Sequence, residues 1–260
     1  MATVVITGAS MGIGEALALA WAKRGAAVVL SARGRDALDG VARACVAAGG
    51  RAIVVAGDVT EEAHREELVE RAVAETGALD VLVNNAGRGF YAPALKVDVE
   101  EMRKLFELNV VAPLRLTQIA APHLERSRGV IVMMSSIAGV VAPPRYAAYA
   151  ASKFALEAIS MSMRSELAAT GIQVVVVRPG PVKTPFRANA TRAPGEVGYD
   201  QPDPDAQSAE SVANLTLRAV DRRSAVIETS AYVRGAATAM RLVPPAVRFA
   251  LRRMATKRAS

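Results

Sequence analysis

Tyr146, Tyr149 and Lys153 stand within the eight residues YAAYAASK. A phenol with an ordinary pKa of about 10 is a poor base at neutral pH, but an ammonium beside it favours the ionised form. A tyrosine and a lysine one helical turn apart therefore make an acid–base pair. If the segment after Pro143 and Pro144 is helical, Lys153 follows Tyr149 by four residues and stands one turn away. It follows Tyr146 by seven and lies about 10 Å from it along the same side of the helix. Distance selects Tyr149, and leaves Tyr146 to line the substrate pocket or pack beneath it. Upstream, Ser135 and Ser136 offer hydroxyl donors of the kind a developing alkoxide needs. Strand alternation says that the two serines point differently, not which one points inward.

A second constellation, TGASMGIGEALA, follows the first strand-like run directly and opens a helix. Gly8, Gly12 and Gly14 allow a tight turn, close backbone approach to a pyrophosphate and close helix packing, while the helix N-terminus supplies amide donors. Ser10, Met11 and Ile13 of the same loop are placed to touch the same ligand. The spacing G-x-x-x-G-x-G differs from the usual dinucleotide fingerprint G-x-G-x-x-G, so its position after strand one carries much of the inference. The next strand, AAVVLSARGRD, ends where an NAD site usually holds an acid on the ribose 2′-hydroxyl; Ala32 stands there, followed by Arg33. A guanidinium pairs with a 2′-phosphate that a carboxylate would repel, which favours NADP(H) over NAD(H). Asp36 lies too far along the following helix to replace that acid.

These residues need a scaffold, and the chain alternates strand and helix patterns. Short β-branched runs begin at Thr3, Ala26, Arg51, Asp80, Val130, Ile172 and Ala225, with helix-spaced segments such as Glu15 to Arg24, Asp36 to Ala48 and Glu61 to Glu75 between them. Near-continuous apolar strands separated by helices predict an α/β, doubly wound (Rossmann) parallel sheet of about seven strands with helices on both faces. A chain of 260 residues with 52% hydrophobic content is expected to form a single domain. Residues 1–230 would form the dinucleotide-binding catalytic domain, with a lid loop over about 184–207 rich in Pro, Gly and Asp.

The net charge of +7 is unevenly placed. Residues 231–260 hold seven of the 32 basic residues and no acid, which leaves 25 bases against 25 acids in the rest. A nucleic-acid partner is therefore not indicated, since that needs a basic face on the recognition domain. After Pro244 and Pro245, Val247, Leu251 and Met254 recur at helical spacing, with Arg248, Arg252 and Arg253 around much of the remaining circumference. The tail thus reads as a basic amphipathic helix. Docking over the domain's own pocket ranks first, and peripheral membrane association second, because a short stripe is a modest anchor. The first strand begins at Thr3 and no apolar run is long enough to span a bilayer, so a cytoplasmic protein is expected. Cys45 has no partner for a disulfide, and His64 and His123 lack ligand spacing, so no metal is expected and both histidines read as ordinary surface or helix residues.

The motifs together resemble the short-chain dehydrogenase/reductase family from Thr3 to about Glu228. The resemblance is carried by TGASMGIG at Thr7, GDV at Gly57, NNAG at Asn84, the LNVV segment containing Asn109, MSSIAG at Met134, YAASK at Tyr149 and RPGPVKT at Arg178. It implies that Asp58 and Val59 flank the adenine, and that Asn85, Ala86 and Gly87 line the cofactor cleft. Pro179, Gly180, Val182 and Thr184 would hold the carboxamide side of the nicotinamide. Ser136, thirteen residues before Tyr149 as in the family, would donate to the substrate oxygen, and Tyr149 would protonate it. Lys153 would bind the nicotinamide ribose, and Asn109 would hold a water that relays protons from Lys153. Without the resemblance, Asn109 reads as a satisfied polar group in the core. The implied activity is NADP(H)-dependent interconversion of a carbonyl and an alcohol, ahead of an NAD-dependent alcohol dehydrogenase or a catalytically silent dinucleotide sensor.

Phe90, Val140, Val141, Pro143 and Phe186 read either as an apolar pocket wall, which suits a lipophilic small-molecule substrate, or as plain packing. Leu114, Leu116, Ile119, Leu156, Ile159, Met161, Met163 and Leu167 spread apolar character around two helices, which predicts a homodimer or homotetramer.

Overall fold

The computed structural model describes residues 1–196 and 206–257. Its strands are β1 (Thr3–Thr7), β2 (Ala27–Ala32), β3 (Arg51–Ala56), β4 (Val81–Asn84), β5 (Phe90–Tyr91), β6 (Val130–Met134), β7 (Gln173–Arg178), β8 (Thr191–Arg192) and β9 (Val226–Glu228). Its helices are α1 (Gly12–Ala22), α2 (Arg35–Ala47), α3 (Glu62–Thr76), α4 (Val99–Phe106), α5 (Ala112–Ser127), α6 (Ala147–Glu166), α7 (Ala209–Asp221), α8 (Ala231–Leu242) and α9 (Pro244–Lys257).

The seven β-branched runs form one parallel sheet of order β3-β2-β1-β4-β6-β7-β9 in a single Rossmann-like domain. β1 pairs with β2 from Thr3↔Ala27 to Thr7↔Ser31 and with β4 from Val4↔Val81 to Ile6↔Val83. The chain builds outward to β3, then returns to the other side of β1. A crevice therefore opens beyond the carboxyl ends of β1 and β4, where the strand order reverses.

Alternate strand residues point to opposite faces, and both faces are covered. Val4, Ile6, Val28 and Leu30 meet α1, α2 and α7 through residues such as Leu17, Leu38 and Leu217. Val5, Val29, Leu82 and Ile131 meet α3, α5 and α6 through Leu68, Leu116 and Leu156. Each fully buried aliphatic side chain of this kind contributes about 1.5–3 kcal/mol. Two such layers hold the carboxyl edge of the sheet as a rigid base for the loops above it.

Three features depart from the sequence pattern. The stretch expected as one long lid contains β8, which pairs with β5 through Phe90↔Thr191 and Tyr91↔Arg192; residues 197–205 of it lie outside the described residues. Two-residue strands are too short to show any alternation. α4 and α5 are joined by a π-helical turn, Glu107–Val111, instead of continuing as regular α-helix. The tail also begins inside the domain. Ser230 Oγ accepts from Val233 N at 3.2 Å and caps α8, and Val233 is fully buried. Among the described residues no helix is long and apolar enough to cross a membrane, and no group of three potential metal ligands occurs.

Candidate active site

The crevice is built from the end of β1. Thr7 Oγ1 donates to Val83 O at 3.3 Å and accepts from the main-chain N–H groups of Asn85 and Ala86, each at 3.0 Å. Asn85 Nδ2 donates to Thr7 O at 2.9 Å and to Gly8 O at 3.2 Å. These bonds fasten the Asn85–Gly87 loop to the glycine loop. A Cβ on Gly14 would lie 2.1 Å from Gly8 O, a backbone atom that cannot step aside. Gly8 itself has φ +64° and its Cβ would meet Ala86 Cα at 2.9 Å. Thr184 closes the loop from above, with its Cγ2 3.0 Å from where a Gly12 Cβ would stand.

α1 starts after Met11 with no side chain capping its first amides. Uncapped N–H groups and the positive end of the helix suit a phosphate. Met11 is exposed there, with Ser10 and Ile13 half-buried on either side of it. The residues present thus fit a dinucleotide's pyrophosphate.

β2 ends at Ala32, and Arg33 follows it exposed. Burial pushes the neighbouring Asp58 carboxyl up, but hydrogen bonds from Thr60 and the Arg33 charge outweigh this and hold it below its ordinary value. Thr60 donates to Asp58 Oδ1 through N at 2.9 Å and Oγ1 at 2.8 Å. Val59 is buried beside it.

His64 is a helix residue, as one of the two expectations had it, but not a surface one: it is buried in α3 with Nε2 2.9 Å from Ser31 Oγ. A Cβ on Gly57 would come within 2.2 Å of its ring, so His64 forms the floor under the Gly57–Val59 turn. Burial pushes its pKa down, against the charges of Glu67 and Asp58.

α6 carries Tyr149 and Lys153 on its buried side, and Tyr146 precedes its first turn. Lys153 Nζ lies 5.9 Å from the Tyr149 ring centroid and donates to Met134 O at 2.8 Å. Ser136 Oγ accepts from Ala138 N at 3.1 Å, which leaves its O–H free to turn to the Tyr149 phenol. Ser135 is buried, and its Oγ is without a hydrogen-bond partner. The structure thus separates the two serines that strand alternation could not.

Burial pushes the Tyr149 phenol up to about 12, against the hydrogen bond with Ser136, which pulls it down. Burial pushes Lys153 down to about 8, opposed by the charge of Glu157.

Asn109 sits in the π-turn, a device frequent at functional sites because the wider turn re-aims a side chain. Its Oδ1 accepts from Arg88 N at 3.0 Å, and its Nδ2 donates to Arg88 O at 3.0 Å and Ser152 Oγ at 3.1 Å. Ser152 Oγ in turn donates to Tyr149 O at 2.7 Å. The carboxamide is a satisfied core group and a clamp between the chain after Gly87 and α6. A Cβ on Gly87 would stand 3.1 Å from Asn109 Oδ1 and 3.7 Å from Lys153 Nζ, so these three residues meet.

Ile137 N donates to Pro179 O at 2.9 Å, which ties the Ser136 turn to the Pro179–Thr184 segment. Gly180 faces Val233 of α8, and Val182 packs on the apolar layer beneath. Aromatic rings wall the space above Tyr149. Phe186 lies 5.8 Å from it and Tyr146 6.5 Å, and Tyr91 meets Tyr146 edge-on at 4.8 Å. Tyr91 was not singled out in the sequence, although Phe90 beside it was, because a two-residue strand is too short to show which side chain points where.

A half-buried ion-pair network also escaped the sequence reading. Arg178 binds both Glu157 oxygens at 2.9 Å and Glu228 Oε1 at 3.0 Å. Glu157 follows Lys153 by one turn of α6, and that spacing is the signal that could have found it.

The arrangement can hold a dinucleotide along the carboxyl edge and present a protonated phenol, flanked by a hydroxyl and an ammonium, to a group in an aromatic pocket. Over residues 2–195 the sequence matches the family described as short chain dehydrogenase. An uncharacterized oxidoreductase of Methylorubrum extorquens is 46% identical over 181 residues, 69% of this chain and 73% of that protein. A short-chain dehydrogenase from Streptomyces avermitilis matches the structure with TM-score 0.84 at 29% identity, over 100% of this chain and 98% of that one. One from Sphingobium yanoikuyae, solved in complex with NADPH, matches with TM-score 0.80 at 28% identity, over 96% of this chain and 95% of that one.

Proposed function

The chain belongs to the short chain dehydrogenase family, an oxidoreductase acting on CH–OH or C=O groups, and from this we propose that it is an NADP(H)-dependent reductase of lipophilic carbonyl compounds with Tyr149 as general acid. The observation that carries the reading is the cluster of Tyr149, Ser136 and Lys153 beside Gly87, in the loop fastened to the glycine loop. A bound nicotinamide would supply hydride.

The protein's own groups do the rest. Ser136 donates a hydrogen bond to the substrate oxygen, where negative charge develops. Tyr149 gives its phenolic proton to that oxygen. With burial pushing it up to about 12, the phenol holds this proton at neutral pH, the state that reduction requires. Lys153, pushed down to about 8, is still mainly an ammonium at pH 7; it stabilises the phenolate left behind and binds the nicotinamide ribose hydroxyls. Asn109 positions α6 through Ser152 beneath the Tyr149 carbonyl and lies on the proton path from Lys153.

The Gly8–Gly14 loop, Asp58, Val59, Asn85–Gly87 and Pro179–Thr184 hold the cofactor. Arg33, with Ala32 in place of an acid, favours the 2′-phosphate; the Sphingobium yanoikuyae neighbour, solved with NADPH, supports that choice. Phe186, Tyr146 and Tyr91 give the substrate an apolar wall. Exposed Val111, Phe154 and Met161 on the helices around Asn109 and Tyr149 support pairing of two copies. A particle of monomer mass in light scattering would overturn that part.

Initial rates with NADPH and NADH over a panel of ketones and aldehydes test the reading. NADPH-dependent turnover that rises with substrate lipophilicity is expected. Absence of turnover with both cofactors, or preference for NADH, would overturn it.

A further inference from the structure

The C-terminal helices carry a surface that the proposed reaction does not use. Residues 231–257 include no acid, and Arg234, Arg241, Arg248, Arg252 and Arg253 are all exposed. α8 is anchored by Val233 against Gly180 and by the Ile137–Gly139 turn, whereas α9 packs against α8 and none of residues 244–255 is buried. Leu242 and Val243, at the corner between the helices, are 67% and 51% exposed, and Phe249 on α9 is 63% exposed.

Val247 and Leu251 of the expected apolar stripe are half-buried. At 100° per residue Phe249 stands opposite them, with Arg252 and Arg253 on either side. The helix therefore has an outward face on which a large apolar side chain is ringed by arginines.

That combination fits one kind of surface. A polyanion such as a nucleic acid would pair with the arginines but give Leu242, Val243 and Phe249 nothing to bury against. The protein's own pocket is reached from this end by Tyr232 and Val233 of α8, beside Gly180, not by α9. An anionic bilayer offers headgroups for the cations and an acyl boundary for the apolar residues, the two signals that stable peripheral attachment needs. We propose that the corner of α8 and α9 docks the protein on an anionic lipid surface. Leu242, Val243 and Phe249 enter the acyl boundary, and Arg241 and Arg248 lie among the headgroups.

Sedimentation of the full chain with vesicles tests this without reference to turnover, so its failure would leave the proposed reaction untouched. The protein should sediment with vesicles of phosphatidylcholine mixed with phosphatidylserine and stay in solution with phosphatidylcholine alone. Each arginine brought to an anionic leaflet is worth about 1 kcal/mol, so Arg241→Gln with Arg248→Gln should lower binding roughly 30-fold. Phe249→Ala should lower it several-fold at unchanged charge. Both sets of residues are exposed, and unchanged NADPH binding and circular dichroism confirm that each variant is folded. The proposal is overturned if the parent fails to bind anionic vesicles, binds both kinds equally, or keeps its affinity in either folded variant. Retained affinity in Phe249→Ala alone would identify a merely polycationic contact, of the kind an acidic protein or nucleic acid would also satisfy.

Discussion

Replacing Lys153 by methionine should leave the cofactor-free protein about as stable as the parent at pH 7, and clearly less stable than it at higher pH. The ammonium is buried and pushed from 10.5 to about 8. A folded pKa below the unfolded one means that the unfolded chain holds the proton more tightly. At pH 7 this costs the folded state about 1.4 kcal/mol for each pH unit separating the two values, roughly 3 kcal/mol. Methionine has similar length and removes that cost. It also forfeits the bond to Met134 O at 2.8 Å, worth about 1.5–3 kcal/mol for a charged donor. The two changes nearly cancel, so the variant should lie within about 1.5 kcal/mol of the parent. Between pH 7 and 9.5 the folded parent releases its proton while the unfolded chain keeps it, so the parent gains about 2 kcal/mol and the variant gains nothing from this site. Urea unfolding of both proteins at the two pH values measures the difference, with every other titrating group common to both. A difference that stays constant with pH would refute the desolvated-ammonium description of Lys153.

Two further outcomes follow from the site. Ser136→Ala should lower turnover by about 10²-fold or more, as loss of an oxyanion donor does, while Ser135→Ala should leave turnover unchanged and stability equal or higher by about 1 kcal/mol, because its buried hydroxyl is unpartnered; activity assays with urea melts distinguish them. Ala32→Asp with Arg33→Val should shift kcat/KM from NADPH towards NADH, and an unchanged ratio would mean that the 2′-phosphate is held elsewhere.

The sequence made the sheet legible because parallel strands buried on both faces read as unbroken β-branched runs, such as TVVIT and VIVMM. Lys153 and Tyr149 were legible because their spacing is local. The end of β2 at Ala32 was likewise set by the run itself. What stayed hidden depends on partners far apart in the chain. Arg178 meets Glu157 and Glu228 across three elements, and His64 finds Ser31 only once α3 lies on β2. The π-turn at Asn109 is held by bonds to Arg88 and Ser152, distant in the chain, so no local spacing marks it. β5 and β8 are ordered by pairing with each other, with too few residues for a pattern.

NADPH-dependent carbonyl reduction by Tyr149→Phe, compared with the parent and with Tyr146→Phe, bears most directly on the role given to Tyr149. The substitution keeps the ring and removes the transferable proton. The expected result is a fall in kcat of about 10²–10⁴, with NADPH binding retained, while Tyr146→Phe changes KM more than kcat. Turnover by Tyr149→Phe within tenfold of the parent, or an equal loss in both variants, would contradict the assignment of Tyr149 as the acid.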